Sequence, residues 1–555
     1  MKKNPSNKLI LSISAGLITA TILTACGGGG SSSSSNGTGN QTPTGIASIA
    51  ITDAPGLEYD HVYITLKEVW FHQSDSVSPT DSKWVKFPLS TPVTIDLAQL
   101  TNGALSTVFS NLALPLGAYK QIKLILAGTN EALEASAQAL GLKANNEIVY
   151  NGIANLPLQV ADAKNGISLL GNFTLSQVKP LDLVVDFDIG HDIIANTRSF
   201  TQEFVLKPRL HYFDLSNSGA IIGKIDPSVI QSSTNPSGGY NFVIKAEQLS
   251  NDGTYHTVSR STTIKSDGTF VLYPLAANPD GSTKSYDILI RGRNIESYLI
   301  KGVPVISGTT PINNPTSLVK TSISTALGSE YAVNLSPAAN PTGEWINFYQ
   351  TLPGQGEVPY EIRFRHVNPF TGTFSNDIDL STGNIHVGTY NAGSDITFTS
   401  VNPQENAGNF GAVGDAPYFD RSTFTPVTSS GNGTTTLSVD NLNVTAPQVA
   451  DSISGTLTVP ANFAGHLDKG NLLILRNGLI VTSQNIDSLL VGNGGSFTIN
   501  NIPGGSTTTT IPGAYYTAYV RAWNSADKAI RANGSVASPI DLTQGSATGV
   551  AINLK

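Results

Sequence analysis

The stretch Ile46-Ala47-Ser48-Ile49-Ala50-Ile51-Thr52-Asp53-Ala54-Pro55-Gly56 decides the fold class. Ala47, Ile49 and Ile51 fall on one side of an extended chain, and Ser48, Ala50 and Thr52 on the other, because successive strand side chains point to opposite faces. Asp53-Ala54-Pro55-Gly56 then supplies the turn chemistry that ends the strand. The same period of two recurs at Val62, Ile64 and Leu66 against Tyr63, Thr65 and Lys67. It returns at Ile122, Leu124 and Leu126 against Gln121, Lys123 and Ile125, after a Pro115-Leu116-Gly117 turn. Phe204, Leu206, Leu210 and Tyr212 form another face, in which Pro208 predicts an edge strand or a bulge. Two stretches read as helical: residues 97–114, with apolar residues at mixed spacing, and residues 131–142, rich in Ala and Leu with Gly141 near the end. Together these patterns predict one mainly β domain over residues 46–217, with one or two short helices.

Beyond residue 217 the sequence echoes itself. Gly223-Lys224-Ile225 leads to Asp267-Gly268-Thr269-Phe270, then to Tyr286-Asp287-Ile288-Leu289-Ile290-Arg291-Gly292-Arg293-Asn294. Gly455-Thr456-Leu457 leads to Gly494-Gly495-Ser496-Phe497, then to Tyr516-Thr517-Ala518-Tyr519-Val520-Arg521-Ala522-Trp523-Asn524. Tyr, Arg and Asn recur in one register. Such spacing predicts small antiparallel sandwiches at 218–325 and 451–555. Between them, Tyr360, Ile362 and Phe364 alternate with Glu361, Arg363 and Arg365, predicting a further β domain over 326–450. The expected fold class is therefore mainly β, built from tandem antiparallel β-sandwich-like domains. The two echoing copies also resemble the transthyretin-like fold of carboxypeptidase regulatory domains, which are non-catalytic.

Upstream of the body, Lys2, Lys3 and Lys8 precede an uncharged, mostly apolar run over residues 9–23 and then Leu23-Thr24-Ala25-Cys26. Fifteen residues at about 1.5 Å each cover only about 22 Å, short of a ~30 Å hydrocarbon core, which suits a cleaved secretion signal over residues 1–25. The tetrapeptide resembles the lipobox of bacterial lipoproteins. That resemblance implies a lipidated Cys26 as mature N-terminus, with multiple acyl chains meeting the requirement for stable anchoring. Gly27 stands where an inner-membrane retention signal would place Asp, so the enterobacterial sorting rule implies the outer membrane. Residues 27–45 hold only Gly, Ser, Asn, Thr, Gln and one Pro. As a random coil this tether would reach roughly 24 Å.

Four ordered blocks carry a further resemblance. Ile51-Thr52-Asp53-Ala54-Pro55 with Tyr59-Asp60-His61-Val62-Tyr63-Ile64-Thr65-Leu66-Lys67-Glu68-Val69 opens it, and Leu116-Gly117-Ala118-Tyr119-Lys120-Gln121-Ile122-Lys123-Leu124 continues it. Val185-Asp186-Phe187-Asp188 and Leu206-Lys207-Pro208 close it. These closely resemble the domain-of-unknown-function family DUF4382, found in bacterial lipoproteins, over about residues 46–214. The resemblance implies a secreted, usually lipidated, β-sandwich-like domain, and no activity to transfer.

Charged residues make up 13% of the chain against a typical ~25%, and the formal charge is −8 with no Lys/Arg block after residue 8. Nucleic acid and anionic lipid surfaces are thereby excluded as expected partners. Cys26 is the single cysteine, which excludes disulfides and Cys-based metal sites. There is no His-Glu-x-x-His helix, Gly-x-Ser-x-Gly elbow, P-loop or strand-borne Gly-x-Gly-x-x-Gly. The eight histidines are scattered, with no pair three to five apart. A serine nucleophile stays open, because triads are defined by geometry and not by sequence order.

Two constellations are candidate sites. In Leu181-Asp182-Leu183-Val184-Val185-Asp186-Phe187-Asp188-Ile189, a strand puts Asp182, Val184, Asp186 and Asp188 on one face. Carboxylates so arranged repel unless solvated, protonated or bridged by a cation. With Asp192 following, and Asp53 and Asp60 within reach, the candidates are a calcium site or a solvated face on an edge strand. Asp377-Ile378-Asp379-Leu380-Ser381 repeats the alternation. Trp70, Phe71 and Trp84 flank a loop over residues 72–83, where exposed rings would bind a sugar or a protein, and buried ones would pack. The expected function is a non-enzymatic surface binding or adhesion module, anchored to the membrane through its N-terminal lipid. Its partner would be a surface polymer or protein, and no cofactor is required beyond the candidate calcium. The alternatives are a periplasm-facing envelope scaffold or assembly protein and, third, a hydrolase, which needs a Ser–His or paired-carboxylate geometry in a concave pocket.

Overall fold

The alternation at residues 46–56 is realised as the strand Thr44–Ala54, which pairs in parallel with Leu181–Asp188 and antiparallel with Ser106–Pro115. The structure is a computed structural model. It describes residues 43–555 apart from 57–58, 76, 130, 151, 162, 197–202, 209, 226–240, 294–295, 312–329, 336–344, 352–357, 367–376, 380–384, 402–409, 417, 420, 423, 427, 430–435, 440–448, 512 and 528. The signal, Cys26 and most of the tether lie outside the described residues, and the last two residues of the tether tract, Thr44 and Gly45, already belong to the first strand.

His211–Asp214 completes a four-stranded sheet beside Leu181–Asp188. An eight-stranded sheet lies opposite, in which Tyr59–His72 pairs with Val85–Asp96, Gly117–Leu126 and Glu147–Tyr150. The residues that alternation placed inward do meet: Ile49, Ile51, Ile64, Leu66, Ile122, Leu124, Leu183, Val185 and Phe187 share one buried core. This is the expected sandwich, two sheets closed over interdigitating side chains.

Two local readings are corrected. Of residues 97–114, only Leu97–Gln99 is helical, a single 3-10 turn, and Ser106–Pro115 is a strand. The mixed apolar spacing arose because a turn separates Leu97 from Phe109 and Leu114, all three of which enter the core. Asn102 and Gly103 form that turn at φ of 54° and 78°. The second stretch does hold a helix, Ala135–Ala139. Pro208 marks neither an edge nor a bulge in one strand. It lies in the break between Glu203–Leu206 and His211–Asp214, which belong to different sheets, because proline offers no N–H to a ladder.

The internal echo is a shared topology. In the second module, Ser218–Lys224 lies between Thr269–Ala276 (antiparallel) and Gly308–Pro311 (parallel). In the fourth, Val449–Thr458 lies between Gly494–Gly504 (antiparallel) and Ala547–Asn553 (parallel). The facing sheets also correspond. His256–Thr262, Asn241–Leu249, Lys284–Arg293 and Ser297–Val305 follow the same order as Leu479–Asn485, Lys469–Arg476, Tyr515–Trp523 and Arg531–Ser535. The echoing Gly and Phe are cross-strand partners in both copies, Gly223 with Phe270 and Gly455 with Phe497. The echoing tyrosines, both buried, each donate to a backbone carbonyl: Tyr286 to Ala276 at 2.7 Å and Tyr516 to Pro503 at 2.5 Å.

Between the copies, Glu330–Leu335 and Trp345–Gln350 nucleate two further four-stranded sheets, a third module. Residues 385–401 leave it. Ile385–Thr389 pairs in parallel with Ser297–Val305, Thr399–Val401 follows, and Tyr390, Ile396 and Phe398 pack on the second module's core. The modules are not beads on a string, since Pro43–Lys555 forms one compact unit. Ala161 and Val205 of the first module share a buried cluster with Leu473, Leu475 and Ile480 of the fourth. Tyr255 of the second packs with Tyr349 and Val413 of the third. Arg476 of the fourth lies 4.1 Å over the ring of Tyr418.

Candidate functional site at the junction of three modules

The acidic strand Leu181–Asp188 is internal to its sheet, not at an edge. Its outer face is covered where Asp186 lies, because the second module's strand His256–Thr262 lays Arg260 against it. Arg260 is 3% exposed. Its guanidinium pairs with the Asp186 carboxylate and donates to Thr52 Oγ1 at 2.9 Å and to the Asp53 carbonyl at 2.8 Å. The face on which the sequence suggested calcium or water thus holds a cation of the protein's own. A buried carboxylate is tolerable with such a partner.

The neighbouring carboxylates are engaged too. Burial raises the Asp186 pKa against the pull of Arg260. Asp53 is fully buried, accepts from the Ile189 amide at 3.0 Å, and is pushed well above the usual range by desolvation and then by Asp188. Desolvation also works against ionised Asp188, but His191, His211 and Arg260 outweigh it and hold that carboxyl below its ordinary value. Asp192 accepts from the Asp188 amide at 3.1 Å. Asp182 is half-buried on the same face, and Asp60 accepts instead from the Gly152 amide at 2.7 Å. Among the described residues, no group of three or more His, Cys, Asp or Glu side chains is arranged to hold a metal ion. Asp377–Asp379 is a short strand pairing with Glu330–Leu335, and Leu380 and Ser381 lie outside the described residues.

This face forms one wall of a cavity of about 570 Å³. The first module contributes Asp186, Asp188 and His191; the second contributes Arg260 and the Ser250–Asp252 turn; the third contributes Asn347, Glu361, Phe364 and Arg421. Arg421 donates to Asp415 at 3.0 Å and to the Tyr255 hydroxyl at 2.7 Å. The His191 ring sits 4.2 Å from that of Phe364, and His191 offers its carbonyl to His366. Two histidines 175 residues apart are thereby joined, which no sequence spacing could reveal. Behind the wall, Glu247 is 0% exposed and accepts from the Glu361 amide at 2.9 Å. Burial, with the nearby Glu361 and Asp287 opposing Lys245, pushes its pKa up to about 8. A cleft of this size with fixed donors and acceptors of both signs can hold a polar ligand in a defined orientation.

Trp70, Phe71 and Trp84 are buried, at 9%, 0% and 6% exposure. Trp84 donates to the Ser78 carbonyl at 3.1 Å, Trp70 donates to Glu68 at 2.7 Å, and the two rings lie 6.0 Å apart. They fasten the loop over residues 72–83 to the sheet, so the packing alternative is the one realised. Sequence reasoning missed Arg260. It sits mid-strand in Val258-Ser259-Arg260-Ser261-Thr262, and nothing local marks it as the partner of a carboxylate 74 residues away.

Residues 44–208 match the model of a domain of unknown function, DUF4382, as the four blocks implied. The match does not extend to the repeated modules. No curated protein matches the sequence. Among solved structures, a leucine-rich repeat protein from Bacteroides thetaiotaomicron is 11% identical, covering 50% of this chain and 27% of that one, with a TM-score of 0.13. The chain therefore spans about a quarter of that protein's length. The Bacillus anthracis TIE protein is 9% identical over 94% of this chain and 76% of its own, TM-score 0.13. A candidate adhesin from Bacteroides ovatus is 11% identical over 54% and 100%, TM-score 0.14. Likenesses this distant carry no argument about activity.

Proposed function

We propose that this protein, whose residues 44–208 match DUF4382, is a lipid-anchored module of a bacterial cell envelope that binds a surface polymer or protein at the junction cavity, without chemistry at that cavity. The observation that carries the reading is the cavity's construction. Three consecutive modules each supply charged or polar groups to it, and cross-module pairs such as Arg260–Asp186 hold those groups in place. Preorganised polar groups lower the ordering cost of recognition. Cys26, ahead of a Gly/Ser tether, supplies the means of anchoring.

The test is metabolic labelling with palmitate in a bacterial host, with fractionation of the envelope. The wild-type chain takes up label and sediments with outer membranes, and Cys26→Ala is unlabelled and soluble. Purified protein is then incubated with isolated envelope polysaccharide. Saturable retention supports the binding role, and an unlabelled, soluble wild-type chain that retains nothing overturns it.

A further inference from the structure

Away from the junction, one row of side chains brings together a nucleophile, a base and an acid. Tyr298 is the register partner of His386, and His386 that of Ser400, across three neighbouring strands. Register partners share a sheet face, so the three side chains stand in line. The Tyr298 ring stacks on the imidazole at 4.4 Å and 16°. Ser400 Oγ lies 2.9 Å from His386 Nδ1, and Glu296 engages His386 Nε2. Glu296 and His386 are each 8% exposed, whereas Ser400 is exposed on Thr399–Val401, the outer strand of its sheet. None of these residues lines the junction cavity.

We infer that Ser400 is a base-activated nucleophile, a site that accepts an acyl group from small activated esters. With Nε2–H donating its hydrogen bond to Glu296, the lone pair on Nδ1 faces the Ser400 hydroxyl, which is the tautomer a general base needs. Base and orienting carboxylate are desolvated while the nucleophile stays reachable, and triads are recognised by these roles and not by chain order. Ser400 Oγ attacks the carbonyl carbon of the ester, and its proton passes to Nδ1. The bond from that carbon to the alcohol oxygen breaks, and the alcohol leaves with the same proton. Water, deprotonated by His386, then cleaves the acyl-serine to the free acid and restores Ser400. The flat setting of an outer strand favours small, unselective acyl donors over a large defined substrate.

The experiment treats the full chain with a fluorophosphonate probe and maps the modified residue by peptide mass. A positioned general base contributes roughly 10²–10⁴-fold. Ser400 is therefore expected to label at least about 10-fold faster than any other serine, and Ser400→Ala to abolish that signal. Glu296 is a positioning residue: Glu296→Gln should slow labelling about 10-fold or more at an unchanged melting temperature, with Glu296→Asp recovering part of the rate. Exposed Ser400 can lose its hydroxyl without unfolding the sheet, which the same melting measurement verifies. Label spread evenly over the serines, or a labelling rate that Glu296→Gln leaves intact, overturns the inference.

Discussion

Arg260 joins two modules through a buried charge. Removing one member of such a pair strands the other, at a cost of about 3–5 kcal/mol. Arg260→Ala should therefore lower the urea midpoint of the full chain sharply, and Asp186→Ala should do the same. The double variant should lose less than the sum of the two, which a double-mutant cycle measures. Additive losses would show that the pair is not coupled. Glu247 yields a second prediction, with a definite sign. Its pKa rises from 4.5 to about 8 on folding, so the folded chain holds this proton more tightly than the unfolded one. The stabilisation from that proton is complete below about pH 4.5 and is lost as pH climbs through about 8. Glu247→Gln should flatten the decline in melting temperature between pH 6 and pH 9 and should melt above the wild type at pH 9. An unchanged pH profile would contradict this. Neither residue was legible in the sequence, because their partners are set by how modules meet.

Strands and turns were far more legible, since alternation is local. The faces at Ile49, Ile64, Leu124 and Val185 were read correctly, as period two leaves only one choice of buried side. The stretch 97–114 was misread because a turn at Asn102 and Gly103 shifted the apolar phase, and a shifted phase resembles helical spacing. The acidic strand was read with the right faces but the wrong surroundings: alternation reports which side chains share a face, not what covers it. The Gly–Phe echo was legible as a pattern, but the space each glycine keeps clear differs: the Phe270 ring at Gly223 and the Val550 carbonyl at Gly455. A Cβ on Gly223 would stand 2.2 Å from the Phe270 ring. Gly223→Ala should therefore displace that ring and cost about 1–3 kcal/mol, the usual penalty of overpacking. Thermal melting measures the loss, and a neutral effect would mean the second module's core is loose there.

At the scale of the whole molecule, four modules behave as one body because apolar and charged seams close between them. Deleting residues 449–555 would expose Ala161 and Val205 of the first module, which the fourth now covers. The shortened chain should bind a hydrophobic dye and self-associate, as seen by light scattering, and a monomeric, dye-silent product would refute the seam. The same assembly bears on function, since the junction cavity exists only while its modules stay together. The proposed binding of a surface polymer or protein requires this body to face outward on its lipid anchor. The most direct measurement exposes intact cells producing the protein to an added protease and follows the chain by immunoblot. Loss of the full-length band before lysis, with a periplasmic control protein intact, is the predicted result. A band that persists until the cells are broken would contradict outward display and favour a scaffold facing the periplasm.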